Sequence, residues 1–276
     1  MPYLAPTNRD DAFRFLQSHS PKIVAGCTDY FPALAQGQVD EDLLDITRLE
    51  GMRGISRTPQ GWRIGAATTW TDIVRAELPP AFDALKAAAR EVGSVQIQNQ
   101  ATIAGNLCNA SPAADGVPPL LVLDAQVEVA SMSGPRVVPL TEFIIGVRQV
   151  DLRAGEFVSA ILIPEVCDMT QSVFKKLGSR THLVISIAMV AVAARVDAGK
   201  LAEVKIAVGS CSPVARRLHR LEAMLLGLSA HDVSQADFTT LEELSPISDV
   251  RGTAEYRRGA VAELCRRAVL DELGRA

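Results

Sequence analysis

The sequence is short of the features on which most common chemistries are built. Its five cysteines, Cys27, Cys108, Cys167, Cys211 and Cys265, form no C-x-x-C pair and total an odd number, so neither a disulfide framework nor a zinc site fits. Aromatic residues make up only 5%, too few for the stacking platforms that hold single-stranded nucleic acid. Positive charge is outnumbered, 28 Lys+Arg against 32 Asp+Glu for a net −4, and no basic stripe gathers anywhere. That excludes a phosphate backbone as partner. The four histidines, His19, His182, His219 and His231, include no H-E-x-x-H pair and read as surface or helix residues. Neither G-x-G-x-x-G nor G-x-x-x-x-G-K-[ST] occurs, and no G-x-S-x-G elbow raises a serine nucleophile. The first residues lack a basic flank followed by an apolar core, and the longest apolar stretch, 183–194, is broken by Ser186 and too short for a bilayer. A cytoplasmic protein is expected, and any chemistry in it falls to a bound organic cofactor.

What is present is an ordinary globular composition, 48% hydrophobic and 22% charged, over 276 residues. That length suits two packed units, and with no linker rich in Gly, Ser or Pro they must abut. Residues 1–57 read as mixed helix and strand: a helix near 9–18, strands at 22–25 and 43–46, and a helix after Thr28. A second stretch, 58–168, carries a strand at 62–66, a helix over 80–92 stopped by Gly93, then short alternating strands around 127–129, 137–138 and 157–163. From 169 to 276 the pattern predicts three antiparallel strands, 172–177, 185–196 and 204–208, with a turn at 197–200. Helices follow over 214–226, 236–244 and 253–273. The fold class is α+β, with the boundary near 168.

Two segments run from a strand directly into small, hydrogen-bonding residues. In Ile23-Val24-Ala25-Gly26-Cys27-Thr28-Asp29, a strand entering Ala-Gly leaves backbone N–H groups free to meet an anion. The alternative is a plain strand-to-helix turn capped by Thr28 or Asp29. The second segment, 98–115, has only Ile103 and Leu107 as large aliphatics among amides, hydroxyls and small residues. As a binding loop, Thr102, Asn106 and Ser111 supply hydrogen bonds, Gly105 supplies close backbone approach, and Asp115 accepts from sugar-type hydroxyls. As a surface loop, it ends in a helix capped by Asp115, with Pro118 and Pro119 in the first turn.

Together these segments resemble the FAD-binding (medium) subunit of the molybdenum hydroxylases, the family of xanthine dehydrogenase and aerobic carbon monoxide dehydrogenase. The likeness rests on Ala25-Gly26-Cys27-Thr28-Asp29, on Ala101-Thr102-Ile103-Ala104-Gly105-Asn106, and on Ala110-Ser111-Pro112-Ala113-Ala114-Asp115. It continues through Ile161-Leu162-Ile163-Pro164 and Phe174-Lys175-Lys176-Leu177 to Ser248-Asp249-Val250-Arg251 and Tyr256-Arg257-Arg258. The resemblance implies a two-subdomain FAD-binding domain of the vanillyl-alcohol-oxidase-like type, followed by a C-terminal domain. It also implies FAD gripped by both glycine loops. Carried over by position, Ile23, Val24, Ala25, Gly26, Cys27, Thr28 and Asp29, with Thr102, Ile103, Ala104, Gly105 and Asn106, are similar to the diphosphate and ribityl contacts. Cys108 and Ser111 belong to the same loop, Asp115 matches an acidic residue near the ribityl hydroxyls, and Val158 matches an aliphatic residue packed on the rings. Lys176 matches a lysine reaching the flavin edge, with Lys175 one register away.

The sequence departs from the family pattern at Ala104, where glycine is common, at Gln98, where arginine is common, and at Cys27, where Gly, Asn or His stands. His182-Leu183-Val184 occupies the place of a shielding aromatic. No catalytic acid or base and no metal ligand is expected in this chain. Implied partners are a large molybdopterin-binding subunit and a small [2Fe–2S] subunit, assembled as a dimer of heterotrimers. Two rivals stand beside this reading: a cofactor-free assembly scaffold of the same fold, and a stand-alone flavin oxidoreductase.

Overall fold

The computed structural model describes residues 2–34 and 39–275. Three short strands, β1 (Tyr3–Leu4), β2 (Lys22–Val24) and β3 (Leu43–Asp45), form a parallel sheet in the order β1-β3-β2. Parallel strands need a crossover, and α1 (Arg9–His19) carries the chain from β1 past the place of β3 to β2. Asn8 caps the helix by accepting from the Asp11 amide, and Ala12, Phe13, Phe15 and Leu16 form its buried face. Phe13 meets Phe157 of the next sheet with ring centroids 5.3 Å apart, which fuses the two layers. After β2 the expected helix is absent among the described residues. A 3₁₀ turn over Phe31–Ala33 stands there instead, with Pro32 removing a donor that an α-helix interior would need.

The second sheet begins with the hairpin β4 (Ile55–Thr58) and β5 (Gly61–Gly65). Helices α2 (Trp70–Arg75), α3 (Asp83–Glu91), α4 (Val95–Gln98), α5 (Ile103–Asn109) and α6 (Val117–Val122) follow. The chain then returns through β6 (Gln126–Ala130), β7 (Arg136–Pro139), α7 (Leu140–Phe143), the small hairpin β8 (Ile144–Gly146) and β9 (Gln149–Val150), and β10 (Phe157–Pro164). The antiparallel order is β4-β5-β10-β6-β7. Pro164 ends β10 opposite Gly61, a strand end where its missing donor does no harm.

The third sheet is antiparallel, β11 (Gln171–Leu177), β12 (Ala188–Asp197), β13 (Lys200–Gly209) and β14 (Arg216–Arg217), in chain order. The β12–β13 turn carries Ala198 and Gly199 at φ 48° and 73°, the two left-handed residues that a tight hairpin of matching twist requires. This sheet has four strands where the sequence pattern gave three. The fourth is a pair of arginines with no apolar alternation, held at the edge by pairing to Ala207 and Val208 and by the ion pairs of Arg217 with Glu222 and Asp124. Consequently the helix expected from 214 starts only at α8 (His219–Leu225). The next helix lies earlier than expected, at α9 (Ala230–Gln235), where Ser229 and Asp232 form a reciprocal capping box. Residues 236–244 are irregular; Phe238, Leu241 and Leu244 imitate helical spacing but plug the core one by one. The long α10 (Ala254–Arg275) closes the sheet.

Both faces of β12 are covered. Ala188, Val190, Val192 and Ala194 join the core under α8 and α10, while Ala191 and Ala193 join the core shared with the second sheet. No helix among the described residues is long and apolar enough to cross a membrane.

Glu272, at the end of α10, is 2% exposed; Oε1 accepts from Arg275 at 3.0 Å and Oε2 has no partner. Burial pushes its carboxyl up to about 7, Arg275 and Lys175 opposing and Asp271 and Asp83 adding. Because the folded value lies above the ordinary 4.5, the native state holds the extra proton between about 4.5 and about 7, and stability declines as pH rises through that window. Glu272→Gln is expected to flatten the decline, read as Tm across a pH series.

Candidate functional site

The two glycine segments, separated by some seventy residues of chain, meet in space. A Cβ placed on Gly26 would lie 2.0 Å from the Gln100 carbonyl oxygen and 2.9 Å from the Ala101 Cα, so only glycine lets the turns touch. Next to it Cys27 is left-handed at φ 58°, the conformation that Gly or Asn adopts most easily, and its thiol donates to the Ala25 carbonyl at 3.3 Å. Burial, with Asp45 adding, raises the Cys27 thiol above its usual value. Neither Thr28 nor Asp29 caps a helix: the 3₁₀ turn has Tyr30 at its cap position and no side-chain cap bond. Among the described residues the amides of Gly26, Cys27, Thr28 and Asp29 find no hydrogen-bond acceptor, which leaves a run of unspent donors around the left-handed Cys27.

The second segment spends its amides differently. Thr102 caps α5 through the Gly105 amide at 3.0 Å, and the Ile103 and Ala104 amides donate to the carbonyls of Thr68 and Ala66 at 3.0 and 3.3 Å. These bonds fix the loop and leave no bare amide in its first turn. Its unspent group is Asn106 Oδ1, which is buried without a partner. Gly116 leaves the room: a Cβ there would come within 2.9 Å of that oxygen and 2.4 Å of the Trp70 ring. Ser111 accepts from the Ala113 amide at 3.3 Å, and burial pushes the Cys108 thiol up to about 12. Ile103 is buried, whereas Gly105 is exposed. Val158 is buried in the first core, paired with Val129 across β10 and β6.

Asp115 does not cap α6, whose cap position is Gly116. Its Oδ2 instead accepts from Lys176 Nζ at 2.7 Å, and its Oδ1 accepts from Ser186 Oγ at 2.6 Å. Burial raises the Asp115 carboxyl, with Lys176 and Ser186 pulling it back and Glu91 adding to the rise. Adjacent strand residues face opposite ways, so Lys175 turns from the site and pairs with Asp271 on α10 at 2.6 Å. The register of the two lysines is thereby fixed: Lys176 is the one brought to Asp115. It lines a cavity of about 470 Å³ with Ala87, Glu91, Phe174, Gly178 and Arg180. Sequence reasoning missed Ser186; its one signal was the polar break in the apolar run before β12.

Unspent donors and an unpartnered buried amide oxygen in the first unit, with a buried ammonium–carboxylate pair joining that unit to the second, fit a cofactor carrying phosphates and hydroxyls. This is the equipment of a flavoprotein. Residues 1–166 match the FAD binding domain in molybdopterin dehydrogenase, and residues 172–271 match the CO dehydrogenase flavoprotein C-terminal domain; the chain belongs to this family. It is 30% identical to the glyceraldehyde dehydrogenase medium chain of Sulfolobus acidocaldarius, over 96% of both chains. It is 29% identical to the xanthine dehydrogenase FAD-binding subunit of Escherichia coli, over 96% of this chain and 94% of the relative. A chain of a Cu,Mo carbon monoxide dehydrogenase crystallised in cyanide-inactivated form superposes with a TM-score of 0.89 at 25% identity, covering 100% of this chain and 98% of that one. The chain is thus an oxidoreductase flavoprotein subunit of the molybdenum hydroxylase type.

Proposed function

We propose that this chain takes electrons from [2Fe–2S] clusters of a small partner subunit and delivers them to an external acceptor, while a large molybdopterin-binding subunit oxidises the substrate. The observation that carries the reading is the meeting of remote segments: two turns far apart in sequence touch at Gly26 and Gln100, and the Asp115–Lys176 pair ties the second segment to β11. In this reading the first turn and Thr102 to Asn106 hold the FAD diphosphate and ribityl chain in a two-subdomain domain of the vanillyl-alcohol-oxidase-like type. Cys108 and Ser111 support that loop, and Val158 backs the ring system. Bound there, FAD supplies the ability to accept electrons singly and release them as a pair, which a relay between clusters and a two-electron acceptor requires.

The chain's own groups do the rest. Amides of the first turn would donate to phosphate oxygens, Asp115 would accept from the cofactor's hydroxyls, and the Lys176 charge would favour added negative charge on the ring system. No side chain needs to act as acid or base. The domains divide near residue 168, the assembly is a dimer of heterotrimers, and its compartment is the cytoplasm. The test is purification of the complete complex, with a visible flavin spectrum and assays for FAD, iron and molybdenum. All three are expected. A fully assembled but colourless complex would overturn the reading in favour of a scaffold, and a yellow chain that brings down neither iron nor molybdenum would favour a stand-alone oxidoreductase.

A further inference from the structure

Asp115 is held at both oxygens by the C-terminal unit, and the holders differ in kind. Lys176 on β11 brings a charge, whereas Ser186, in the segment leading into β12, brings a neutral hydroxyl at 2.6 Å. All three groups are withdrawn from solvent: Asp115 is 7% exposed, Ser186 2%, and the Lys176 side chain 8%. An ammonium has three N–H donors. One goes to Asp115, a second reaches the Glu91 carbonyl on α3 at 3.4 Å, and no third partner occurs among the described residues. Lys176 itself lines the cavity, so the unspent donor has open space to serve.

The direction of Lys176 therefore depends on the direction of the Asp115 carboxylate. A carboxylate turns about a broad torsion unless both oxygens are fixed, and Oδ1 is fixed by Ser186 alone. We propose that Ser186 is a positioning residue for the flavin site. By holding Asp115 Oδ1 it keeps the carboxylate oriented, so that Lys176 keeps its remaining N–H free for the cavity it lines. Ser186 in this way sets both the affinity for FAD and the acidity at which FAD is released. The proposal rests on the flavin reading given above.

The charged groups facing Asp115 are Lys176 from β11 and Glu91 from α3. Burial and Glu91 favour the protonated carboxyl; Lys176 and the Ser186 hydroxyl favour the carboxylate. Without the hydroxyl the balance tips, Asp115 takes up its proton at a higher pH, and the ammonium loses its counter-charge there.

The experiment compares the wild-type complex with Ser186→Ala and Ser186→Thr, measuring FAD dissociation by recovery of flavin fluorescence across a pH series. Loss of the hydroxyl is expected to weaken FAD binding by roughly tenfold near neutrality, the effect of one lost hydrogen bond to a charged group. The acid midpoint of FAD release is expected to move to higher pH, and Ser186→Thr, which keeps a hydroxyl, to restore the wild-type midpoint. A Ser186→Ala complex whose acid midpoint matches the wild type overturns the proposal, even where its affinity or Tm has fallen, because a packing role alone leaves the midpoint in place. A wild-type complex without flavin overturns the underlying reading instead, so the two failures are told apart.

Discussion

Gly26→Ala is expected to abolish FAD retention and to destabilise the chain, although it adds a single methyl group. The new carbon would sit 2.0 Å from the Gln100 carbonyl oxygen and 2.7 Å from its carbonyl carbon, against the 3.5–4.0 Å of ordinary carbon contact. Neither partner is a side-chain tip that can swing aside. The Gln100 and Ala101 amides are both bonded to the Ile97 carbonyl, at 3.0 and 2.7 Å, and the Ala101 carbonyl accepts from the Trp70 amide at 3.2 Å. The first turn must move by more than an ångström, carrying its free amides with it. Forced overpacking of this kind costs about 1–3 kcal/mol, and the phosphate donors move out of register. Gly259→Ala is the contrasting control: a Cβ there meets nothing within 4 Å, and alanine in a helix interior gains about 1 kcal/mol over glycine. Thermal unfolding with flavin absorbance measures both. A Gly26→Ala chain that keeps its flavin and its Tm would show that the turns are not held together as described.

The second large effect is expected at Lys176. Lys176→Met leaves the Asp115 carboxylate buried with only Ser186 to satisfy it, and breaking a buried pair from one side costs about 3–5 kcal/mol. The loss depends on pH with a definite sign. Burial already holds the Asp115 carboxyl above its ordinary 3.8, and removing Lys176 deletes the strongest influence that lowers it. The folded variant therefore protonates before the unfolded chain does. The deficit is full above the folded value and shrinks as pH falls toward 3.8. Urea unfolding at about pH 8 and about pH 5 should show the larger deficit at the higher pH. Adding Asp115→Asn removes the stranded charge and should recover most of the stability without recovering FAD. An equal deficit at both pH values would count against a buried ion pair.

The parts of the fold that were legible in the sequence are those where local chemistry and tertiary packing agree. The continuous apolar run that fills both faces of β12, the turn at Ala198-Gly199 and the apolar stripe of α10 all announce themselves. The parts that were not legible are set by partners far away in the chain. Two arginines become a strand only because Glu222 and Asp124 receive Arg217. Phe238, Leu241 and Leu244 are spaced like a helix face yet sit in an irregular segment. At the site, small residues flag the two loops, but nothing in either says that Gly26 is what lets the two loops touch. Nor does the pattern tell Lys175 from Lys176, since neighbours on a strand differ only in which side they face, and that is decided by what lies on each side.

The double covering of β12 limits how the molecule can open. A strand whose alternate residues are shared between two cores cannot act as the leaf of a hinge, because swinging it away would bare Ala191 and Ala193 on one side or Ala188, Val190 and Val192 on the other. Opening of the cavity that Lys176 lines is therefore left to local movement at its rim, around Gly178 and Arg180. Loosening either core would therefore strip packing from the strand that the other core shares.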